Sequence, residues 1–159
     1  MKKIALFADI QNIYYTTRQV YGRQFNYREL WQQVSTNGEI VLANAYAIDR
    51  GDTQQRKFQK ALSHIGFNIK LKPYIQRSDG SAKGDWDVGI AIDVIAAAKE
   101  VDTVILLSGD GDFDLLLERV KQDNAIITTE VYGVFSLTAA SLINSAGSFH
   151  GIEENLLLA

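Results

Sequence analysis

The sequence of 159 residues contains no cysteine, a single proline and no long apolar run. Without cysteine the chain can form neither a disulfide nor a thiolate metal site, and a reducing compartment is permitted. The lone Pro73 marks no linker, and no stretch approaches the roughly 20 apolar residues that a membrane-spanning helix requires. We therefore expect one domain over residues 1–159, located in the cytoplasm and without a membrane partner.

The charges are unevenly distributed, although the net charge is only −3. Residues 1–83 hold 13 of the 16 Lys and Arg residues and 6 of the 19 Asp and Glu residues, whereas residues 84–159 hold 3 and 13. A basic surface that binds a phosphate chain, beside an acidic pocket that binds metal, would produce this polarity. Uneven scatter of surface charge by chance is the alternative.

Short apolar runs alternate with helical patterns along the chain. The predicted strands cover residues 3–8, 40–48, 67–73, 103–107 and 125–131. Strands interleaved with helices indicate an α/β protein with a mostly parallel five-stranded sheet and helices on both faces. If the strand order is 3-2-1-4-5, the order reverses between the first and fourth strands, where open α/β sheets bind their ligands.

An acidic turn directly follows the fourth predicted strand. Residues 108–114 read SGDGDFD and place carboxylates at Asp110, Asp112 and Asp114, while Asp9 ends the first strand. Neighbouring carboxylates repel one another, and a hard divalent cation such as Mg²⁺ or Mn²⁺ compensates their charge through oxygen ligands. The sequence therefore predicts a metal site at the point where the strand order reverses.

Four carboxylates are the predicted metal ligands and catalytic residues: Asp9, Asp87, Asp110 and Asp112. A cation held by them would lower the pKa of a bound water and neutralise charge on a phosphodiester. Four further side chains are predicted to assist: Asn12, Ser108, Asp93 and Asp114. Helix capping is the alternative role for most of these polar residues. It is weakest for Asp9, because a carboxylate at the end of a buried strand is costly unless it is paired or metal-bound.

Other uses of the acidic turn conflict with the residues around it. In a calcium-binding loop that starts at Asp110, Leu115 replaces the required glycine and Lys121 replaces the bidentate glutamate. A dinucleotide-binding loop would need a third glycine and would place these acids against a pyrophosphate. The two histidines, His64 and His150, lie in unrelated contexts and give no support to a hydrolase triad.

Three motifs together resemble the NYN domains of the PIN-like nuclease superfamily, which include LabA-like bacterial proteins. They are FADIQN at residues 7–12, KGDWDVGIAID at 83–93 and SGDGDF at 108–113. The resemblance implies a Rossmann-like PIN fold, ribonuclease chemistry, and Mg²⁺ or Mn²⁺ at the four predicted ligands. It also points to one departure, because Gly147 stands where the family often has an aspartate. If that aspartate helps to hold a metal, we expect the site here to lack one ligand and to be weakened or limited to one ion; the alternative is that Gly147 is a turn residue with a positive φ.

Single-stranded RNA is the predicted partner. Four residues are predicted to contact it, by binding phosphate or by stacking a base: Lys83, Arg77, Arg50 and Trp86. The predicted function is that of a metal-dependent endoribonuclease. The alternatives are a non-catalytic module that binds RNA or protein, and a metal-dependent phosphatase or nucleotide hydrolase. Assembly into a homo-oligomer stays open at this point.

Overall fold

The computed structural model describes residues 1–73, 75, 76, 82, 83 and 85–159, with backbone only at 75, 76, 82 and 83. Eight strands occur in these residues: β1 Lys3–Asp9, β2 Glu39–Asp49, β3 Asn68–Pro73, β4 Ile75–Gln76, β5 Ala82–Lys83, β6 Thr103–Leu107, β7 Thr128–Gly133 and β8 Ser148–Gly151. Six of them form one sheet in the order β3-β2-β1-β6-β7-β8, and every neighbouring pair in it is parallel. The short strands β4 and β5 form a separate antiparallel pair.

In the part of the chain that the structure describes, six α-helices cover the two faces of this sheet. They are α1 Ile10–Tyr21, α2 Tyr27–Ser35, α3 Thr53–Ile65, α4 Asp87–Ala98, α5 Asp114–Asp123 and α6 Ala140–Ser145. Buried residues of α1, α2 and α3 share one apolar cluster with Leu6 of β1, and buried residues of α4, α5 and α6 share a second cluster with Phe7. Successive residues of β1 therefore point to opposite faces, as the period of a strand requires. In the described part of the chain, no helix is both long and apolar enough to cross a membrane.

The predicted parallel α/β architecture and its strand order are confirmed, with one correction. The main sheet has six strands, because β8 adds an edge strand beyond β7. This strand was missed because Ser148–Gly151 has only four residues, with no β-branched residue among them. The polar segment 76–83, whose glycine and serines are typical of a loop, contains Gln76 of β4 and both residues of β5. Residues 77–81 lie outside the described part of the chain.

The strand order reverses between β1 and β6, as predicted. These two strands are paired from Ile4 with Thr103 to Ala8 with Leu107, so they end at the same edge of the sheet. The residues that follow them, Asp9 and Ser108, therefore lie side by side. Two stretches of chain almost 100 residues apart meet at this edge.

Candidate metal centre

Three carboxylates from three different elements meet at the carboxyl edge of the sheet. Asp9 is the last residue of β1, Asp87 is the first residue of α4, and Asp110 lies just beyond β6. One carboxylate oxygen from each lies within 4.8 Å of the others, and all three residues are half-buried. Three of the four predicted ligands are thus brought together. Asp112 is not part of this group.

A hydrogen-bond network orients the carboxylate of Asp9. The hydroxyl of Ser108, which is fully buried, donates to Oδ2 of Asp9 at 3.0 Å and accepts from the backbone N–H of Asp110 at 3.1 Å. The backbone N–H of Asn12 approaches Oδ1 of Asp9 at 3.4 Å, so Asp9 also caps the N-terminus of α1. Ser108 therefore connects two of the three carboxylate-bearing segments.

The side chain of Asn12 joins α1 to the acidic turn. Its Oδ1 accepts a hydrogen bond from the backbone N–H of Gly109 at 2.8 Å. Asn12 thus occupies the role of a positioning residue, whereas the helix cap that was its alternative role belongs to Asp9.

Two glycines allow the acidic turn to pack closely against the segment that follows β7. A Cβ on Gly109 would lie 2.8 Å from the carbonyl oxygen of Leu137, and a Cβ on Gly111 would lie 2.8 Å from Cβ of Ala139. Both distances are shorter than real Cβ contacts, so any larger residue would displace the turn that carries Asp110.

Burial raises the pKa of Asp9 from 3.8 to about 6. The hydroxyl of Ser108 and the N–H of Asn12 partly oppose this shift, because they donate to the charged form. The nearby charges of Asp110 and Asp85 add to the increase. The protein therefore disfavours a bare negative charge at this position.

The pKa of Asp87 is also raised, to about 7. Burial is the main cause, followed by the neighbouring Asp110 and then by the charges of Asp85 and Asp9. Mutual repulsion of this kind is relieved either by a proton or by a bound cation. Carboxylate oxygens are hard donors, so the three side chains fit Mg²⁺ or Mn²⁺ better than a softer metal.

The other two acids of the turn lie at helix starts. Asp112 is exposed in the short 3₁₀ helix Gly111–Phe113, and its backbone N–H donates to Oδ1 of Asp110 at 2.9 Å. Asp114 is the first residue of α5, where the helix dipole stabilises a negative charge. Ligation by either side chain stays a prediction.

Asp93 lies in α4 outside the carboxylate group. Its Oδ2 accepts hydrogen bonds from the hydroxyl of Tyr46 and from Nζ of Lys70, each at 2.7 Å. This ion pair and hydrogen bond tie α4 to the neighbouring strands β2 and β3. The contacts of Asp93 are therefore those of a packing residue.

The indole ring of Trp86 packs between α4 and the sheet. Its Nε1 donates to the carbonyl oxygen of Ala47 at 2.9 Å, and its ring lies 5.3 Å from the ring of Tyr46. Nζ of Lys72 lies 4.4 Å from the ring centroid, at the distance of a cation–π contact. The predicted stacking of a base on Trp86 would have to displace one of these partners.

The predicted basic contacts are described only in part. Arg50 is exposed and directly follows the carboxyl end of β2, so it lies at the same edge of the sheet as Asp9. Lys83 belongs to β5, but its side chain lies outside the described atoms, as does the whole of Arg77. Phosphate binding by these three residues stays a prediction.

Asp85 is a further acid of the site that was not among the predicted ligands. Its Oδ1 accepts a hydrogen bond from the backbone N–H of Asp87 at 3.2 Å, and its charge raises the pKa of both Asp9 and Asp87. Its position two residues before Asp87 could have indicated a part in the metal site. An acid just before a helix is also favoured as a helix cap, so the spacing alone does not distinguish a site residue from a capping residue.

Gly147 lies at the opposite edge of the sheet from the carboxylates. It directly precedes β8, whose first residue Ser148 pairs with Glu130, whereas the metal centre lies beyond the pairing of Leu107 with Tyr132. Four residues of strand separate the two levels, which is roughly 13 Å. The expectation that Gly147 deprives the metal site of a ligand is therefore wrong.

We expect Gly147→Asp to destabilise the protein without changing its response to Mg²⁺. A Cβ at this position would lie 2.8 Å from the carbonyl oxygen of Thr129, and such a clash costs about 1–3 kcal/mol. Urea unfolding with and without Mg²⁺ measures both quantities. Ser148→Asp is the matched control, because it adds the same charge at an exposed neighbouring position. Tighter Mg²⁺ binding by Gly147→Asp would contradict the placement.

The parallel sheet with carboxylates at the point of strand reversal has the architecture of the PIN-like nuclease superfamily. Within it, the family model of the NYN domain matches residues 3–153, and the chain belongs to the NYN-domain family. The low amplitude and bright protein LabA from Synechococcus elongatus is 30% identical over 134 residues, which cover 79% of this chain and 72% of LabA. The crystal structure of VPA0982 from Vibrio parahaemolyticus, a protein of unknown function, is 50% identical and superimposes with a TM-score of 0.93 over 99% of this chain and 96% of that one.

Proposed function

We propose that this protein is a metal-dependent ribonuclease that hydrolyses phosphodiester bonds of RNA. The observation that carries the proposal is the convergence of Asp9, Asp87 and Asp110, with oxygens within 4.8 Å of one another. The raised pKa of Asp9 and of Asp87 supports it, because perturbed carboxylates in one cluster are typical of functional sites. Membership of a nuclease superfamily supports the reaction class.

The residues of the site take separate roles in this proposal. Asp9, Asp87 and Asp110 would hold Mg²⁺ or Mn²⁺. Such a cation supplies an activated water and neutralises charge on the phosphate. Ser108 orients the carboxylate of Asp9 through the hydrogen bond that its hydroxyl donates. Asp112 is exposed and lies two residues after Asp110. We propose it as a fourth acid of the active site, outside the three-carboxylate group and open to water and substrate.

RNA is proposed as the substrate from the uneven distribution of charge along the chain. The first half of the chain carries most of the basic residues, and three of them are proposed to bind backbone phosphates: Arg50, Arg77 and Lys83. A backbone that passes over an acidic, metal-loaded centre needs such cations beside it, because they release counterions from the phosphates.

The test is cleavage of a 5′-labelled single-stranded RNA by the purified protein in Mg²⁺, Mn²⁺ or EDTA. We expect cleavage with either cation, none in EDTA, and none by Asp110→Asn in any condition. Glu100→Gln is the control, since it removes an exposed carboxylate that follows α4 at the other edge of the sheet. Cleavage that persists in EDTA, or at wild-type rate in Asp110→Asn, would contradict the proposal.

A metal site that lacks a ligand because of Gly147 would favour the alternative of a non-catalytic binding module. Since that residue lies at the far edge of the sheet, it no longer argues for a weakened metal site. The same assay distinguishes the two functions. RNA that is bound but uncut under every metal condition would favour the binding module.

A further inference from the structure

Two tyrosines stand exposed on α1, the helix that begins directly after Asp9. Tyr14 is 44% exposed and Tyr15 is 54% exposed, and their ring centroids lie 5.7 Å apart in an edge-to-face arrangement. The buried side of the same helix is formed by Ile10, Ile13, Thr16 and Thr17. The two rings therefore contribute nothing to the core, yet they offer a large aromatic surface to solvent.

A cation accompanies these rings. The guanidinium of Arg18 lies 5.6 Å from the ring centroid of Tyr14, and its Nη1 donates to the hydroxyl of Tyr14 at 2.5 Å. The contact is the expected one for residues four apart on a helix. Aromatic rings beside an arginine are the combination that binds single-stranded nucleic acid, because bases stack on rings and phosphates pair with the guanidinium.

The position of α1 connects this surface to the metal centre. The helix begins immediately after Asp9, and the hydrogen bond from Gly109 to Asn12 holds its first turn against the acidic turn. With a rise of about 1.5 Å per residue, Tyr14 and Tyr15 lie about 8 to 9 Å along the axis from Asp9. Both rings therefore belong to the second turn of the helix that begins at the carboxylate edge.

The rings of Tyr14 and Tyr15 are more accessible to an incoming base than the ring of Trp86, which was predicted to stack one. The indole already contacts Lys72 and Tyr46 and donates to Ala47, so an incoming base would have to break an existing contact. Among the described residues, Tyr15 makes no side-chain hydrogen bond and no cation–π contact, and its ring meets that of Tyr14 in the edge-to-face pair, so a base has less to displace there.

We propose that Tyr14, Tyr15 and Arg18 form a stacking platform for single-stranded RNA that leads into the carboxylate cluster. The identity of the ligand rests on the proposed ribonuclease function, whereas the platform itself rests on exposure, ring geometry and the neighbouring cation. Every base has an aromatic face, so the platform binds without strong sequence preference. It binds single strands rather than duplexes, because paired bases are not free to stack on the rings.

The test measures binding separately from cleavage. Fluorescein-labelled 12-nucleotide oligouridylate is titrated with the Asp110→Asn protein in EDTA, and fluorescence anisotropy is recorded. In that background, replacing both tyrosines by alanine is expected to weaken binding at least about tenfold. Replacing both by phenylalanine keeps the rings and is expected to stay within about threefold. Arg18→Gln is expected to weaken binding and to flatten its dependence on salt.

Controls keep structural damage and failure of the ribonuclease proposal apart from failure of the platform. Ile126→Ala removes another highly exposed side chain, just before β7 at the other edge of the sheet, and should leave binding unchanged. Equal binding by the alanine and phenylalanine pairs would overturn the platform, even if the wild type cleaves RNA. Ring-dependent binding without any cleavage by the wild type would support the platform and contradict the ribonuclease proposal.

Discussion

Replacing Asp9 by asparagine is expected to lower the rate of RNA cleavage about 10³-fold while RNA binding stays intact. Asparagine keeps the shape of the side chain but removes the charge that would hold the cation. Loss of metal-based stabilisation costs several kcal/mol in the transition state, and each ~1.4 kcal/mol is a factor of ten in rate. Single-turnover cleavage and anisotropy titrations with the same RNA measure the two quantities.

Asp112→Asn is the informative comparison for this variant. Asp112 lies outside the three-carboxylate group and is exposed, so we expect a loss of less than about tenfold. An equal loss in the two variants would mean that Asp112 joins the cluster when metal and RNA are bound. Wild-type cleavage by Asp9→Asn would rule out chemistry centred on this edge of the sheet.

The metal-free protein is expected to lose stability as the pH rises from about 4 to 7. The pKa of Asp9 is about 6 in the folded state against 3.8 as its ordinary value, so the folded state binds the proton more tightly. Its contribution is fully present below pH 3.8 and is lost as the pH passes 6, which amounts to about 3 kcal/mol. The raised pKa of Asp87 acts in the same direction up to about pH 7.

Urea unfolding in EDTA at several pH values measures this loss. Asp9→Asn should make the profile less steep between pH 4 and 6, with the contribution of Asp87 remaining, whereas Glu100→Gln should leave it unchanged. At pH 7, Mg²⁺ at one hundred times its Kd should restore about 2.7 kcal/mol to the wild type and nothing to Asp110→Asn. A profile that stays level in the wild type would show that the carboxylates are not strained by burial.

The strand order and the two strand-end acids were within reach of the sequence. The apolar runs that end at Asp9 and at the turn with Asp110 can be recognised as strands from their own residues, and the polar residues that follow mark where each strand ends. Parallel pairing then requires the two ends to lie at one edge. Asp87 followed from its place at the start of a helix, since a first-turn side chain points along the helix axis towards the same edge.

The remaining details depend on packing that local patterns do not encode. Whether Asp85 or Asp112 faces the cluster depends on the angle at which a helix meets the sheet. The acids on both sides of Trp86 suggest an exposed side chain. In the structure, however, Gly89 leaves room for the indole against α4, because a Cβ on Gly89 would lie 2.6 Å from the ring. A sequence motif suggested that Gly147 replaces an aspartate of the metal site. Only the register of β8 places it away from the acids.

The packing of Trp86 gives the protein an internal optical probe. Trp86 stands between Asp85 and Asp87 in the sequence and packs on one face of the sheet. The second tryptophan, Trp31, packs against Phe67 on the other face. Trp31→Phe would therefore leave Trp86 as the single tryptophan of the sequence. Any change in the first turn of α4 would alter the polarity around that indole, so its emission reports events at the site without a label.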